Sequence, residues 1–255
     1  MSVIAEFIES KLMPIVYKNQ TILTVSESTQ NEIVRIGLGS KENISIIYCG
    51  IADPDLEILK KNKETEYPSF LYLGRLKQYK NVDVAIKAFK KVVIKYPKSK
   101  LTIAGDGEKK DDLELLIKKL DLQNSVEMLG KVTEQEKFEL YAKSWVCVHP
   151  SEMEGWGITV IEANSYGTPV IASDTSGLRE SVVDGKSGIL VPTKNISALA
   201  EKMEFLIKNH SIRKEYAQNA REWSENFRWS RSAESFVQSI KTQAFSPVIT
   251  EKIKK

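Results

Sequence analysis

The sequence predicts an α/β protein in which helices cover both faces of a parallel sheet. From Ser69 onward, short apolar runs alternate with segments whose apolar residues recur at helical spacing. The runs lack the strict alternation of a half-exposed strand, which indicates strands buried on both faces. Glycine turns follow them at Gly74, Gly105, Gly130 and Gly155. Because ligands bind beyond the carboxyl ends of strands in such sheets, these turns mark the expected site.

The predicted elements follow in chain order. Six strands are predicted for the sheet, at residues 70–73, 101–104, 126–130, 145–148, 169–172 and 188–191. Between them, Asn81 is expected to cap a helix, and further helices are expected at 111–120, 133–142 and 159–166. Residues after Lys194 are expected to be helical through Ile240. The earlier part predicts a helix at 3–17, a strand at 21–25, a helix at 26–37 and a strand at 44–48.

Composition narrows the function classes. The chain has 255 residues, enough for one large or two small domains, and a formal charge of +3. So small a charge argues against a general nucleic-acid binder. Cys49 and Cys147 lie in apolar contexts without Cys-x-x-Cys spacing, which is typical of buried thiols in a reducing compartment. No run approaches the roughly 20 apolar residues of a bilayer span, and no secretory signal is evident. A cytoplasmic location is therefore predicted.

The most informative stretch runs from Glu154 to Glu162. It follows an apolar run, contains Gly155-Trp156-Gly157, and leads into a predicted helix. The first N–H groups of a helix lack internal partners and bind anions, whereas carboxylates suit hydroxyl groups. A ligand that carries both phosphates and hydroxyls is a nucleotide sugar. The alternative is that Glu162 is a first-turn acid stabilised by the helix dipole, at roughly 0.3–1 kcal/mol.

Two cations follow the strand that ends at Gly74. A guanidinium such as Arg75 can bond phosphate oxygens in pairs, and an ammonium such as Lys80 adds a point charge. Together they are candidates for a diphosphate clamp. A solvated basic loop is the alternative, since Lys77 is there too.

An ordered series of motifs carries a family resemblance. In order, they are Gly74-Arg75 with Lys80, residues 103–107, Leu129-Gly130, Pro150-Ser151, residues 154–157 with Glu162-Ala163, residues 167–172, and Glu180 with Gly185 and Gly188. Across about residues 70–236, the chain resembles the carboxyl-terminal donor-binding domain of retaining glycosyltransferases of the glycosyltransferase-four family. The resemblance implies the nucleotide-sugar-binding half of a GT-B fold, which pairs two Rossmann-like domains across a cleft. Residues 175–177 depart from the family's frequent double glycine, and residues 49–53 replace its usual Asn-Gly-Val-Asp.

The resemblance also implies a division of the chain. Residues 1–52 would be a remnant of the acceptor-side domain with the crossover, and residues 53–68 a linker. Residues 69–240 would form the Rossmann-like donor-binding domain with its carboxyl-terminal helices, and residues 241–255 a frayed tail.

Residue roles follow from the resemblance as expectations. Arg75 and Lys80 would hold the diphosphate and stabilise the charge that grows on it as the sugar leaves. Glu154 would contact hydroxyls of the transferred sugar and the reaction centre, and Glu162 would accept hydrogen bonds from the ribose hydroxyls. The remaining donor-binding positions are Gly74, Gly105, Gly107, Lys131, Gly155, Trp156, Gly157, Ile158 and Thr159.

Several of these positions have a specified contact or an open alternative. The N–H groups near Gly157, Ile158 and Thr159 would hold the distal phosphates. The main chain at Lys131 would contact the base, and Trp156 would wall the sugar pocket unless it is a packing residue. A tight turn is nearly as good an explanation of the two glycines at 105 and 107 as nucleotide binding.

The implied activity is transfer of a hexose from a UDP- or GDP-sugar, with retention, to a glycan, lipid-linked or small-molecule acceptor. No cofactor or metal is expected, and Asp53-Pro54-Asp55 is given no role because it falls in the predicted linker. His149 follows a strand and could reach the site, but a structural histidine is the favoured interpretation, and His210 is expected to be exposed on a charged helix. A non-catalytic nucleotide-sugar-binding subunit that needs an acceptor-domain partner is one alternative. An epimerase or phosphorylase of GT-B fold is another. Residues 3–17 could form a helix that docks a partner or the inner membrane face, although a core helix explains the same pattern.

Overall fold

A computed structural model describes residues 8, 12–17 and 20–244. They fall into two compact units: one combines the described residues up to Gly50 with those from Phe227 onward, and the other spans Ile51–Asn226. None of the helices in the described part of the chain is long and apolar enough to cross a bilayer.

The larger unit is built on a six-stranded parallel sheet in the order β5-β4-β3-β6-β7-β8. The strands are β3 (Ser69–Leu73), β4 (Lys100–Ala104), β5 (Val126–Gly130), β6 (Val146–His149), β7 (Val170–Ser173) and β8 (Gly188–Val191). Counted within the unit, this is the strand order 3-2-1-4-5-6 of a Rossmann fold. The order reverses between β3 and β6, and that is where such sheets bind ligands.

Helices connect these strands and follow the last of them. They are α3 (Leu56–Lys61), α4 (Val82–Lys95), α5 (Lys110–Lys119), α6 (Glu134–Lys143), α7 (Ile158–Ser165), α8 (Ser176–Ser181), α9 (Ile196–Lys208) and α10 (His210–Ser224). A short 3-10 turn at Gln78–Lys80 precedes α4. Thr133 begins α6 with a capping box, because its hydroxyl accepts from the Glu136 N–H while the Glu136 carboxylate accepts from the Thr133 N–H.

The core confirms that both faces of the sheet are covered. Alternate residues of β3 point to opposite faces: Phe70 and Tyr72 join a buried cluster with Phe89 of α4, and Leu71 joins a second cluster with Tyr141 of α6. Continuous burial of these strands explains why their sequence is apolar without alternation. The predicted α/β fold class is therefore confirmed.

The smaller unit contains a parallel pair, β1 (Ile22–Thr24) and β2 (Ile44–Ile46), with Ile22 opposite Ile44. Its helices are α1 (Met13–Tyr17), α2 (Glu27–Arg35) and α11 (Trp229–Ala244). Ser26 caps α2 by accepting a hydrogen bond from the Thr29 N–H at 3.1 Å. α11 belongs here because the Ser232 hydroxyl donates to the Tyr48 carbonyl at 2.7 Å, and the rings of Tyr48 and Phe227 meet edge to face.

The structure corrects the predicted boundaries. Residues 227–240 group with the described residues up to Gly50, not with a 69–240 domain, because α11 packs on that unit. The predicted linker at 53–68 contains α3, whose Ile58 is buried with Leu71, and neither α3 nor α8 was expected. α11 continues to Ala244, past the predicted start of the tail, and the rest of that tail lies outside the described residues, as does most of the predicted 3–17 helix.

The two cysteines differ in their surroundings. Cys147 on β6 is buried, and burial raises the pKa of its thiol to about 12. Cys49 is only partly buried and lies outside the strands, contrary to the expectation of a strand-like context.

Candidate functional site

Two loops meet at the point where the sheet order reverses. One follows β3 and runs from Gly74 to Lys80; the other follows β6 and runs from Pro150 to Gly157. The Glu152 N–H donates to the Tyr79 carbonyl at 2.8 Å. Asn81 is the N-cap residue of α4, as predicted, but its side chain makes no cap bond to the helix; its amide donates to the Pro150 carbonyl at 3.3 Å instead. These bonds join the two loops into one wall.

An ion pair bridges the loops across the reversal point. The Lys80 ammonium donates to Oε1 of Glu154. Lys80 is 8% exposed, and the Glu154 side chain is 13% exposed. Because each charge is largely removed from water, each depends on the other for stabilisation. The structure thus brings together two of the three residues that were expected to carry the chemistry.

His149, at the end of β6, completes this cluster. It is 2% exposed, and its Nε2 lies 2.9 Å from Oε1 of Glu154, while its Nδ1 lies 3.4 Å from the Thr159 hydroxyl. From the sequence, this histidine was expected to be structural, although its position allowed it to reach the site. Its position at a strand end, five residues before Glu154, was the available signal. The cluster links a carboxylate, an ammonium, an imidazole and a helix start.

The Glu154 carboxylate is held in its ionised form. Burial alone would raise its pKa, but hydrogen bonds and attraction from His149 and Lys80 outweigh burial and lower the pKa to about 2. Both donors bond Oε1, and within the part of the chain that is described, no hydrogen bond reaches Oε2. That oxygen can accept hydrogen bonds from a ligand.

Arg75 lies in the same loop as Lys80 but in different surroundings. Its side chain is exposed and donates to the Tyr79 hydroxyl at 2.7 Å. The Tyr72 hydroxyl donates to the Arg75 carbonyl at 2.9 Å, which fixes the main chain there. Arg75 is thus presented to solvent from a fixed backbone, and reaching an anion requires no break in the buried cluster.

The turn before α7 adopts the backbone expected of an anion site. Gly157 has φ +87°, and a Cβ there would lie 2.8 Å from the Leu178 side chain. Both the backbone angle and the lack of space favour glycine at this position. The N–H groups of Ile158 and Thr159 have no acceptor among the described residues, as expected for a first helical turn. These donors remain available to an anion.

Other residues of this turn pack against the protein. Trp156 is 4% exposed, which fits the packing explanation of its ring, whereas Gly155 is exposed. A Cβ on Gly177 would lie 2.3 Å from the Glu154 carbonyl oxygen. α8 therefore lies so close to the turn that only glycine fits at this position. Gly177 therefore supports the loop that carries Glu154, a contribution that local sequence could not reveal.

Glu162 is held by the neighbouring helix α6. Its Oε1 accepts from the Lys137 ammonium at 2.8 Å and its Oε2 from the Tyr141 hydroxyl at 3.2 Å. Lys137 also bonds Glu134 at 2.8 Å; burial lowers the pKa of Lys137, but these two carboxylates outweigh it and raise the pKa. Neither Lys137 nor Tyr141 was singled out from the sequence. The expected contact of Glu162 with a ribose stays a prediction.

The remaining predicted positions line the ends of β4 and β5. A Cβ on Gly105 would lie 1.8 Å from the Gly74 carbonyl oxygen, so this glycine is required by close packing of two turns. Near Gly107, the Leu76 N–H donates to the Asp106 carbonyl at 2.9 Å, which ties the same turns together. Lys131 is exposed just beyond β5. The tight-turn explanation accounts for both glycines without a ligand.

Metal binding has no evident location in the described part of the chain. No three His, Cys, Asp or Glu side chains come together there in a way that could hold an ion. The expectation that no metal is needed stays a prediction.

Comparisons with known proteins identify the family. The profile of the family described as glycosyl transferases group 1 matches residues 55–223. An uncharacterized glycosyltransferase of Methanocaldococcus jannaschii is 29% identical over 237 residues, which cover 88% of this chain and 60% of that protein.

Solved structures share the fold. Sucrose-phosphate synthase from Thermosynechococcus elongatus superposes with a TM-score of 0.79 at 24% identity, over 91% of this chain and 60% of that one. The Anabaena protein HepE, solved in complex with UDP and glucose, superposes with a TM-score of 0.77 at 22% identity, over 87% and 63% of the two chains. The chain spans little more than half the length of the curated relatives it matches. Because the family profile covers the whole six-stranded sheet, the chain belongs to the glycosyl transferases group 1 family and corresponds to its carboxyl-terminal, GT-B-type domain.

Proposed function

We propose that this chain is the donor-binding half of a retaining glycosyltransferase, which moves a hexose from a nucleotide-diphosphate sugar to a glycan, lipid-linked or small-molecule acceptor. The observation that carries the proposal is the buried Lys80–Glu154 pair at the sheet reversal, beside a helix start with unused N–H groups. This arrangement sets anion donors next to a hydroxyl acceptor. A sugar diphosphate presents both complementary groups.

The proposed chemistry assigns each group a task. The N–H groups of Ile158 and Thr159, with Arg75, hold the diphosphate, and Lys80 directs its two remaining N–H donors at the bridging phosphate. As the sugar–phosphate bond breaks, negative charge grows on the leaving diphosphate and these fixed cations stabilise it. Oε2 of Glu154 accepts from a sugar hydroxyl. The acceptor hydroxyl attacks from the leaving-group side and gives its proton to the departing phosphate, so no second catalytic carboxylate is used.

Relatives guide the choice of donor. The HepE complex contains UDP and glucose, which makes UDP-glucose the first donor to test. Glu162, held by Lys137 and Tyr141, is proposed to accept from the ribose hydroxyls through its remaining lone pairs. The nucleotide and its sugar would then lie along the carboxyl ends of β3 and β6 and the amino end of α7.

Calorimetric titration tests the donor site. The chain is titrated with UDP, GDP, UDP-glucose and GDP-mannose, and the titrations are repeated with Arg75→Ala. We expect saturable binding of one nucleotide, weakened at least tenfold in the variant, because charge-assisted bonds contribute about 1.5–3 kcal/mol. Lys119→Ala, in the last turn of α5, is the matched control. Absence of binding by all four compounds, or unchanged affinity in Arg75→Ala, would contradict the proposed donor site.

A second candidate is a binding subunit whose acceptor wall comes from another polypeptide. The observation that favours it is the exposed apolar surface of the smaller unit, including Ile15 at 74% and Val16 at 57% exposure. Activity of this chain alone with added acceptors would exclude this candidate. Retention is tested by NMR of the product's anomeric proton, and release of a free sugar epimer or sugar phosphate would indicate an epimerase or a phosphorylase.

A further inference from the structure

The protonation of His149 is coupled by hydrogen bonds to the start of α7. Its Nε2 lies 2.9 Å from Oε1 of Glu154, an ionised carboxylate that can only accept. Nε2 therefore carries a hydrogen and donates it. This leaves Nδ1, 3.4 Å from the Thr159 hydroxyl, as the nitrogen whose state is not fixed by Glu154.

Two arrangements satisfy Nδ1. In the neutral imidazole, Nδ1 is an acceptor, and the Thr159 hydroxyl donates to it. In the imidazolium, Nδ1 carries a hydrogen and donates to the Thr159 oxygen, which frees the hydroxyl hydrogen to point elsewhere. The direction of the Thr159 O–H bond thus reports whether His149 is protonated.

An anion at the helix start favours the second arrangement. Thr159 lies in the first turn of α7, where its own N–H and that of Ile158 have no acceptor in the described residues. Phosphate oxygens accept hydrogen bonds and do not donate them when ionised. A diphosphate bound at these N–H groups would attract the Thr159 hydroxyl hydrogen, and Nδ1 would lose its donor.

The charges around His149 decide whether it then takes up a proton. The Glu154 carboxylate favours the imidazolium, because its Oε1 accepts the His149 hydrogen bond. The Lys80 ammonium opposes it, because it bonds the same oxygen and its charge repels a second cation. Tyr72 on β3 and Cys147 on β6 stay neutral near pH 7, since burial raises the pKa of both. An arriving diphosphate adds negative charge and shifts this balance toward the imidazolium.

We propose that binding of a nucleoside diphosphate at the start of α7 draws one proton from solvent onto Nδ1 of His149, with the Thr159 hydroxyl switching from the imidazole to the phosphate. The inference rests on the proposed function, since it places the diphosphate at this helix. One N–H bond forms with a proton supplied by the buffer, and Thr159 keeps its own hydrogen. No bond in the nucleotide changes.

A proton-linked binding step has a defined pH dependence. Binding takes up a proton, so the association constant falls as pH rises. The fall reaches up to tenfold per pH unit where binding takes up one full proton. His149 is then a positioning residue that sets the donor pattern at the phosphate site.

Calorimetry of the full chain with UDP tests the proposal, with GDP and ADP used in turn if UDP gives no heat. Titrations at pH 8 are run in buffers of different ionisation enthalpy, such as HEPES and Tris. At this pH the terminal phosphate, with a second pKa of about 6, is already ionised before binding, so the phosphate itself adds no proton change. The slope of observed enthalpy against buffer enthalpy counts the protons taken up. We expect uptake of about 0.5 to 1 proton.

Two variants and a control localise the proton. His149→Gln and Thr159→Val should both bind the nucleotide with a slope near zero, and circular dichroism checks that both are folded. His210→Gln alters the other histidine of the chain, on α10, and should keep the full slope. Zero uptake in the parent chain, or full uptake in both site variants, overturns the inference alone. Absence of binding by all three nucleotides overturns the proposed function and this inference with it.

Discussion

Glu154 and Glu162 differ in how the protein holds them, although they bracket the same helix start and are similarly buried. The Glu154 side chain is 13% exposed, and one of its oxygens receives both Lys80 and His149. The Glu162 side chain is 16% exposed, and its two oxygens are divided between Lys137 and Tyr141. Residue type and burial therefore do not set the role of a carboxylate; its partners do.

The comparison teaches which carboxylate can respond to a ligand. Glu154 is fixed through one oxygen and keeps the other open at the point where the sheet order reverses. Glu162 is braced through both oxygens by one neighbouring helix, α6. Under the proposed function, the first suits a reacting sugar and the second suits a rigid ribose anchor.

The largest expected effect comes from Glu154→Gln. The change leaves the Lys80 ammonium buried without its counter-charge, and we expect the free energy of unfolding to fall by about 3 kcal/mol. Sugar transfer should fall by at least about 100-fold. Urea denaturation and initial-rate assays measure the two quantities.

Glu152→Gln is the matched control for that variant. Glu152 lies two residues earlier in the same loop, and its exposed carboxylate pairs with Lys194 at 2.7 Å. Exposed pairs contribute about 0–1 kcal/mol, so stability should change little. An equal loss of unfolding free energy in the two variants would show that the buried Lys80–Glu154 pair stabilises the fold no more than an exposed pair does.

Lowering the pH should gradually remove the stabilisation that the ionised Glu154 carboxylate provides. The pKa of Glu154 is lowered to about 2 in the folded chain, so its contribution is present above the ordinary glutamate pKa near 4.5 and is lost as pH falls toward 2. The difference in unfolding free energy between the parent and Glu154→Gln should shrink across this interval. Denaturant titrations at pH 6, 4 and 3 measure it, and a difference independent of pH would contradict the assignment.

Gly157→Ala tests the turn that separates the two carboxylates. Alanine at φ +87° is strained, and its Cβ would lie 2.8 Å from the Leu178 side chain. We expect a loss of about 2 kcal/mol in unfolding free energy. Gly185→Ala is the control, because Gly185 has φ +72° but its nearest atom is 4.0 Å away. The control isolates backbone strain, and a loss as large as that of Gly157→Ala would exclude the contact with Leu178 as a cause.

The smallest expected effect comes from Lys137→Met, which removes one brace of Glu162. Stability should fall by about 1 kcal/mol, since the Tyr141 hydroxyl still donates to the carboxylate. Preference for UDP over 2′-deoxy-UDP should fall about three- to tenfold if Glu162 reads the ribose. Lys143→Met, on the same helix and paired with Glu139, should leave that preference intact. An unchanged preference for UDP in Lys137→Met would contradict the proposal that Lys137 holds Glu162 in position for the ribose.

Sequence reasoning located the six strands of the larger unit within one residue because each strand is a continuous apolar run bounded by polar turns. It missed α3 and α8, which have six residues each and show too little of a helical period to be recognised. It assigned α11 to the wrong unit because an amphipathic pattern does not state which surface it covers.

The sequence alone determined the fold class and the glycine turns at strand ends, because these depend on local periodicity and residue chemistry, and its motifs marked Lys80 and Glu154 as separate candidate site residues. Only the tertiary structure decided that strand order places their two loops side by side. It also decided that His149 enters the cluster, and that Lys137 and Tyr141 hold Glu162. These contacts join residues on different elements. Their energies depend on desolvation and on distances that arise only when the sheet is assembled.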